Sequence, residues 1–430
     1  MKKNLGNDLL LGIQHLFAMF GATILVPLIT GMNPATALVA AGIGTLIFHV
    51  CTKFEVPVFQ GSSFAFLGAL STAVATYGVQ YAQGGIMAAG VLYVVFAAIA
   101  YAAGSDRIRK IFPAVVTGPV IVVIGLNLSS TGINDAMATV EMAGGTSAPW
   151  LSILIAMFTL AVIIICTIFA KGFFKLVPIL IGLASGYILC VILDFCGIWA
   201  MDYSAITQAH WINIPYYTEG FFTLPKFDLA VILSIAPIAL VTAMEHIGDI
   251  TTNGAVVGKD FFKKPGLHRT LLGDGLASLF AGFIGGPANT TYSENTGVLA
   301  TTKNYNPALL RIAAVFAILL GFFGKFGAVL QTIPTPVRGG VELMLFGMIA
   351  SVGIRTLAEA NLDFTHSRNL VIVGLILSVG LGFSIAGGLT INFGSVAINF
   401  SGLFIAVIVG VLLNLILPQE LEGKLEEKTK

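Results

Sequence analysis

An all-α, polytopic membrane fold is what this sequence predicts, with fourteen spans forming two seven-span halves of opposite orientation. Three observations predict it. Of 430 residues, 57% are apolar and 10% charged, whereas a soluble domain carries about 25% charged residues; mean hydropathy is +0.93. Fourteen apolar runs follow one another along the chain, most near the ~20 residues a helix needs to cross a bilayer. Basic residues segregate to one side of those runs, and short motifs recur at about half the chain length. This composition excludes a soluble enzyme, a disordered tail and a disulfide scaffold. A net charge of +1 leaves no basic field for nucleic acid. The lipid bilayer is the solvent this chain is built for.

The runs lie near 9–30, 34–52, 58–75, 83–103, 111–128, 150–170 and 176–196 in the first half. In the second they lie near 229–248, 270–285, 289–301, 307–326, 336–353, 369–386 and 396–417. Met1-Lys2-Lys3 before the first run has the form of a signal peptide, but Gln14 and His15 interrupt its apolar stretch and further runs follow, so no cleavage is expected. The third run opens on Gln60-Gly61-Ser62-Ser63 and the tenth on Asn289-Thr290-Thr291. Neither opening suits a lipid-facing helix, so spans 3 and 10 are expected to be short, broken or extended segments. Such breaks expose backbone N–H and C=O groups at the membrane midplane.

With the N-terminus inside, every lysine and arginine except Lys226, Lys325 and Arg338 falls in cytoplasmic loops or tails. A miscounted span would scramble that segregation, so both termini are expected to be cytoplasmic. Pro113-Ala-Val-Val-Thr-Gly118-Pro-Val120 matches Pro334-Thr-Pro-Val-Arg-Gly339-Gly-Val341 as Pro-x-x-Val-x-Gly-x-Val. Ser62-Ser63-Phe64 matches Thr290-Thr291-Tyr292, and Gly42-Ile-Gly44 matches Gly273-Asp-Gly275. Seven spans is an odd number, so the second half starts on the opposite side of the membrane. The result is an inverted repeat, the architecture of secondary transporters.

Cys51, Cys166, Cys190 and Cys196 sit in or beside apolar runs as small thiols, and the six histidines show no ligand spacing. No metal site or cofactor is expected, and no nucleotide loop is present to power transport. Ionisable residues inside spans are expensive and mark function by default. The candidates are His15, His49, Glu245, His246, Asp249, Asp274, Glu294 and Glu342. Glu342 follows Arg338 by four residues, which also fits a helix-edge ion pair. His49 lies at a span end, where its ring can reach the interface. Glu245 and Asp249, four apart, share one face of span eight and must meet water, cations or substrate N–H groups unless one is protonated. Glu294 follows the broken opening of span ten, at a helix start that favours negative charge. His15 fits a helix–helix hydrogen bond as well as it fits a site.

The stretch Asn289-Thr-Thr-Tyr-Ser-Glu294-Asn295-Thr-Gly297-Val-Leu-Ala-Thr301 resembles the signature of the nucleobase–ascorbate transporters. That signature is Gln or Glu, then Asn-x-Gly, with a Thr soon after. Gln14-His15, Gly61-Ser-Ser-Phe64, Glu245 and Gly266-Leu-His-Arg269 are similar to the family as well, so the resemblance spans the chain. It implies a fourteen-span 7+7 fold with a core domain of spans 1–4 and 8–11 (residues 1–104 and 229–327). The gate domain would comprise spans 5–7 and 12–14 (105–228 and 328–430). It further implies import of a nucleobase with protons, most similarly to the bacterial uracil carriers, and it allows a homodimer. A bacterial plasma membrane is the expected location.

By the same resemblance Glu245 and Glu294 accept substrate N–H groups, the amides of Phe64 and Ser293 donate to its carbonyls, Phe64 and Phe346 wall the site, and Tyr292 is a further substrate-binding candidate. Glu245, Asp249, Glu294 and His15 are the proton-coupling candidates. Glu294 favours uracil over xanthine, because the family's purine carriers tend to have Gln there. Asp249 and Asp274 stand where the uracil carriers compared have His and Asn, and Phe346 where a Tyr is familiar; both aspartates look more like the purine carriers. A xanthine or other purine permease is therefore the nearest alternative. An anion exchanger on the same fold is more distant, since the intramembrane charges are acidic.

Overall fold

The computed structural model describes residues 5–139, 149–393 and 396–418. Lys2, Lys3, Lys424, Lys428 and Lys430, which bear on the orientation of the termini, lie outside the described residues, as does the side chain of Arg109. The first half runs α1 (Leu5–Thr30), α2 (Pro34–Cys51), β1 (Gln60–Ser62), α3 (Leu67–Tyr77), α4 (Val79–Ala103), α5 (Ser105–Ile111), α6 (Ala114–Ala136), α7 (Pro149–Phe169), α8 (Phe173–Leu176) and α9 (Pro178–Phe195). After α10 (Ser204–Gln208), the second half runs α11 (Leu229–Ile235), α12 (Ile238–Val257), α13 (Leu267–Ile284), β2 (Asn289–Thr291), α14 (Ser293–Thr302), α15 (Ala308–Phe322), α16 (Gly324–Gln331), α17 (Thr335–Glu359) and α18 (Ser367–Ile385). It closes with β3 (Leu389–Phe393), β4 (Val396–Phe400) and α19 (Gly402–Ile416). Nine stretches among the described residues are helical, long and apolar enough to cross a membrane. The shorter apolar helices are Phe64–Tyr77, Ala308–Phe322 and Gly402–Ile416.

Local chemistry sets the helix ends. Asn33 Oδ1 accepts from the amides of Ala35 and Thr36 at 2.8 and 3.3 Å, and Pro34 supplies the fixed φ of the first turn. Asp228 caps α11 through Ala230 and Val231 at 2.9 and 3.1 Å. Pro113 and Pro334, the paired prolines of the repeated motif, hold the same position, the N-cap of α6 and of α17.

Helix pairs then pack through small residues. α2 lies on α15 with Gly42 against the Ala314 carbonyl and Gly321 against that of Ala35. α4 lies on α13 with Gly90 facing Gly275, and α6 on α17 with Gly118 facing Gly353. In lipid there is no hydrophobic drive between helices, so close backbone approach supplies the dispersion contacts instead. The exposed surface is apolar where bilayer would lie: Leu154, Ile165, Ile168 and Phe169 on α7 all face outward.

Two sequence expectations change in detail. Residues 396–400, which hydropathy assigns to the last span, form β4, paired antiparallel with β3 from Leu389↔Phe400 to Phe393↔Val396. Gly387 and Gly388 both have positive φ and turn the chain into that hairpin. The run at 307–326 breaks at Phe323, where extended backbone separates α15 from α16.

Candidate functional site

The two broken openings find each other. β1 and β2 pair antiparallel with Gln60 opposite Thr291, Gly61 opposite Thr290 and Ser62 opposite Asn289. Two further backbone bonds extend the ladder, from Ser63 N to the Ala288 carbonyl (2.8 Å) and from Tyr292 N to that of Phe59 (3.0 Å). Extended backbone deep in a helical membrane protein must satisfy its polar groups within the protein, and each short strand does so on the other. A helix then leaves each strand: a 3-10 turn at Phe64–Phe66 leading into α3, and α14 from Ser293. The first amides of both helices, including those of Phe64 and Ser293, have no acceptor within their own helix, and both dipoles present a positive end here.

Tyr292 locks the crossing. Its hydroxyl donates to the Ser62 carbonyl at 2.8 Å, and its ring packs against Gly61, where a Cβ would run into it. Ser62 Oγ donates to the Thr23 carbonyl at 3.0 Å, tying the crossing to α1. Asn295 Nδ2 donates to the His15 carbonyl at 2.9 Å and lies 3.3 Å from its Nδ1. The buried His15 Nε2 is left without a partner.

Beside the crossing lies a cavity of about 390 Å³, within the range of small-molecule sites. Glu245 and Asp249 of α12, Ser293 and Glu294 of α14, and Leu345 and Met348 of α17 contribute to its lining, with Lys175 and Arg355. Arg355 is half-exposed and pairs with Glu359 at 3.8 Å, so the cavity reaches the protein surface at that end. Asp249 accepts from Thr291 Oγ1 at 3.2 Å, whereas the buried Glu245 Oε2 has no partner. The chemistry on offer is three carboxyl groups beside the start of α14. Such a cavity can accept N–H groups, donate to carbonyls and hold protons.

Phe64 and Phe346 meet edge to face, 5.6 Å between centroids at 85°. Phe64, Phe346 and Tyr292 are absent from the lining of the acidic cavity; Phe64 lines a second cavity, of about 560 Å³, with Thr72, Thr76, Asn127, Thr131 and Ser384. That cavity has no charged residue in its described lining. Phe346 is fully buried, and Tyr292 serves the crossing through its hydroxyl.

His246 and Asp274, candidates by their place inside spans, belong to a network behind the site. His246 Nδ1 lies 2.8 Å from Asp274 Oδ2 and its Nε2 2.8 Å from Thr270 Oγ1, while Gln60 Nε2 donates to Asp274 Oδ1 at 2.6 Å. All four residues are fully buried. Asp274 therefore stands behind β1 and is absent from the cavity lining. Glu342, read as a partner for Arg338, has no hydrogen bond on either oxygen; Arg338 lies 3.5 Å from Asp135 instead.

Comparison with known proteins places this geometry. A family model described as a permease family matches residues 6–387. The chain is 42% identical to a probable uracil permease of Pasteurella multocida, covering 99% of this chain and 97% of that protein. It is 43% identical to the uracil permease of Bacillus subtilis, covering 95% and 92%, and 40% identical to that of Escherichia coli K12, covering 94% and 90%. Two solved structures share the fold. The transmembrane domain of the cyanobacterial bicarbonate transporter BicA superposes with a TM-score of 0.62 at 15% identity, covering 97% of each chain. The murine anion transporter Slc26a9, in its inward-facing state, superposes with a TM-score of 0.66 at 10% identity, covering 97% of this chain and 68% of that one. This multi-pass membrane protein therefore belongs to the permease family of the nucleobase–ascorbate transporters.

Proposed function

We propose that the chain is a proton-coupled uracil permease of the plasma membrane, importing uracil and closely related pyrimidines. The observation that carries this reading is the crossing of β1 and β2, which sets Glu245, Asp249, Glu294 and the start of α14 around one cavity, with the helix start at Phe64 on the paired strand. The names and full-length similarity of the relatives support it. Uracil is neutral and planar, with two N–H donors and two carbonyl acceptors. Glu245 and Glu294 accept the donors, the amides of Phe64 and Ser293 serve the carbonyls, and Phe64 and Phe346 form the aromatic wall. A base with the wrong edge leaves buried partners unpaired at about 1–3 kcal/mol each. Because a carboxylate only accepts, Glu294 selects against bases that suit a Gln.

The acids also carry the coupling. Three carboxyls in one cavity cannot all stay charged, so Glu245, Asp249 and Glu294 share at least one proton, which travels with substrate. His15 contributes through Asn295, the residue after Glu294. The same reading takes the chain as fourteen spans in a 7+7 inverted repeat with both termini cytoplasmic. Packing supports the repeat: a seven-span shift exchanges the α2–α15 pair with the α4–α13 pair and maps α6–α17 onto itself. Spans 1–4 and 8–11 form the core domain and the remainder the gate, the surface that a homodimer would use. Lys175 and Arg355 then mark the cytoplasmic mouth, and the acidic cavity faces inward.

Competition for radiolabelled uracil uptake by unlabelled uracil, xanthine and sulfate, with and without a protonophore, tests this. Uracil alone should compete, and the protonophore should abolish accumulation. Competition by xanthine would overturn the substrate assignment, and accumulation that survives the protonophore would overturn the coupling. Glu294→Gln should lose uracil uptake at normal expression. Asp249→Asn should uncouple accumulation from the proton gradient.

A further inference from the structure

Away from the acidic cavity, a second group of ionisable residues lies where α17 crosses α6. Glu342 on α17 is completely buried, and neither of its carboxyl oxygens has a hydrogen-bond partner. It faces α6, where a Cβ at Gly132 would stand 3.3 Å from its own Cβ, and Asp135, one turn further along, is its acidic neighbour. Among the described residues Arg338 is the one cation beside this pair: Nη2 lies 3.5 Å from Asp135 Oδ2 and donates to Thr335 Oγ1 at 3.1 Å. Its Nη1 donates to the Leu28 carbonyl of α1 at 2.9 Å, and its Nε is buried without an acceptor.

Among the described residues, the other elements packed on α17 bring no further charge to Glu342. Cys166 is the one ionisable residue of α7. On α9, the Tyr187 hydroxyl is engaged with Thr332 Oγ1, and Asp194 with Tyr203 and the Met201 amide; Cys190 is a buried thiol. On α1, Asp8 and His15 lie ~20 Å or more along the helix from Leu28. One guanidinium therefore faces two carboxyl groups. A buried carboxylate at Glu342 and a partly buried one at Asp135, against one cation, would leave an uncompensated charge in a largely apolar setting.

We propose that Asp135 and Glu342 form a proton-binding site, separate from the substrate cavity, whose occupancy locks the outer end of α17 to α1. With the proton on either carboxyl, one carboxylate balances Arg338 and the guanidinium remains on the Leu28 carbonyl. When the proton leaves to water, both carboxylates compete for the guanidinium, including its vacant Nε–H, and draw it off α1. By the orientation proposed above, this contact closes the outer side, so external acid would favour the inward-facing state. The site deepens the coupling scheme without depending on which nucleobase is carried.

Hydrogen exchange of α1 residues 24–31, followed in the full chain in nanodiscs and corrected for intrinsic rates, tests the proposal. Wild-type protection should fall roughly tenfold as pH rises through the transition, the change that one pH unit of linked protonation brings. Glu342→Gln should stay protected at every pH, and Asp135→Asn should do the same should the first variant fail to fold. Arg338→Gln should be unprotected throughout. A pH-independent wild type, or a Glu342→Gln variant that keeps the wild-type profile, would overturn the site. No uracil enters the measurement, so failure of the substrate reading leaves its outcome intact.

Discussion

Two neighbouring residues on α12 show how differently this protein treats buried ionisable groups. His246 has a partner on both ring nitrogens, and its partner Asp274 is bonded on both oxygens. Glu245, the adjacent residue, turns the other way into the cavity with one oxygen unpartnered. A buried His–Asp pair bonded at every polar side-chain atom is held in one geometry, while an unpartnered carboxyl oxygen keeps hydrogen-bonding capacity that a substrate N–H can use. The first arrangement is framework: it fixes Gln60, and through it β1, against α13. The second belongs to the site proposed above.

Breaking the framework should produce the largest effect. Asp274→Ala strands His246 and Gln60 in the interior and should cost about 1–3 kcal/mol for each group left unpaired, seen as a lowered melting temperature and loss of monodisperse protein. A wild-type melting curve would remove the framework role. Gly61→Ala drives a methyl group into the Tyr292 ring and should cost about 1–3 kcal/mol, read by the same melt together with reduced uptake. Glu245→Gln should sharpen the contrast in the opposite sense. Its melting temperature should match or exceed that of wild type, while uracil affinity in equilibrium binding falls ~10–100-fold, equivalent to one or two hydrogen bonds. A melting loss as large as that of Asp274→Ala would make Glu245 framework too. Thr291→Val removes the hydroxyl on Asp249 and should have the smallest effect, about 0.5–1.5 kcal/mol. Its informative readout is a shift in the pH dependence of uptake, since Asp249 then loses a donor to its charged form.

The acidic residues of the cavity were legible one by one. Their expense in a membrane singles them out, and a four-residue spacing places Glu245 and Asp249 on one helical face. The polar openings of spans 3 and 10 were legible as breaks. Their pairing was not, because nothing local to Gln60 names Thr291 as its partner. Asp274 could be seen as buried but not placed: spacing along α13 does not tell whether it faces the cavity or His246. Arg338 illustrates the same limit, since its position four residues before Glu342 suggests a pair that the fold replaces with Asp135 and the Leu28 carbonyl.

The sequence by itself determined that this is a polytopic membrane chain of helices with two broken segments, because the bilayer imposes length and polarity along one dimension. The same one-dimensional record carried the family signature around Glu294. The tertiary structure alone decided which breaks cross, which acids share a cavity, and which are tied into the scaffold. Those outcomes depend on distances between segments far apart in the chain, and on whether each buried polar atom finds a partner there.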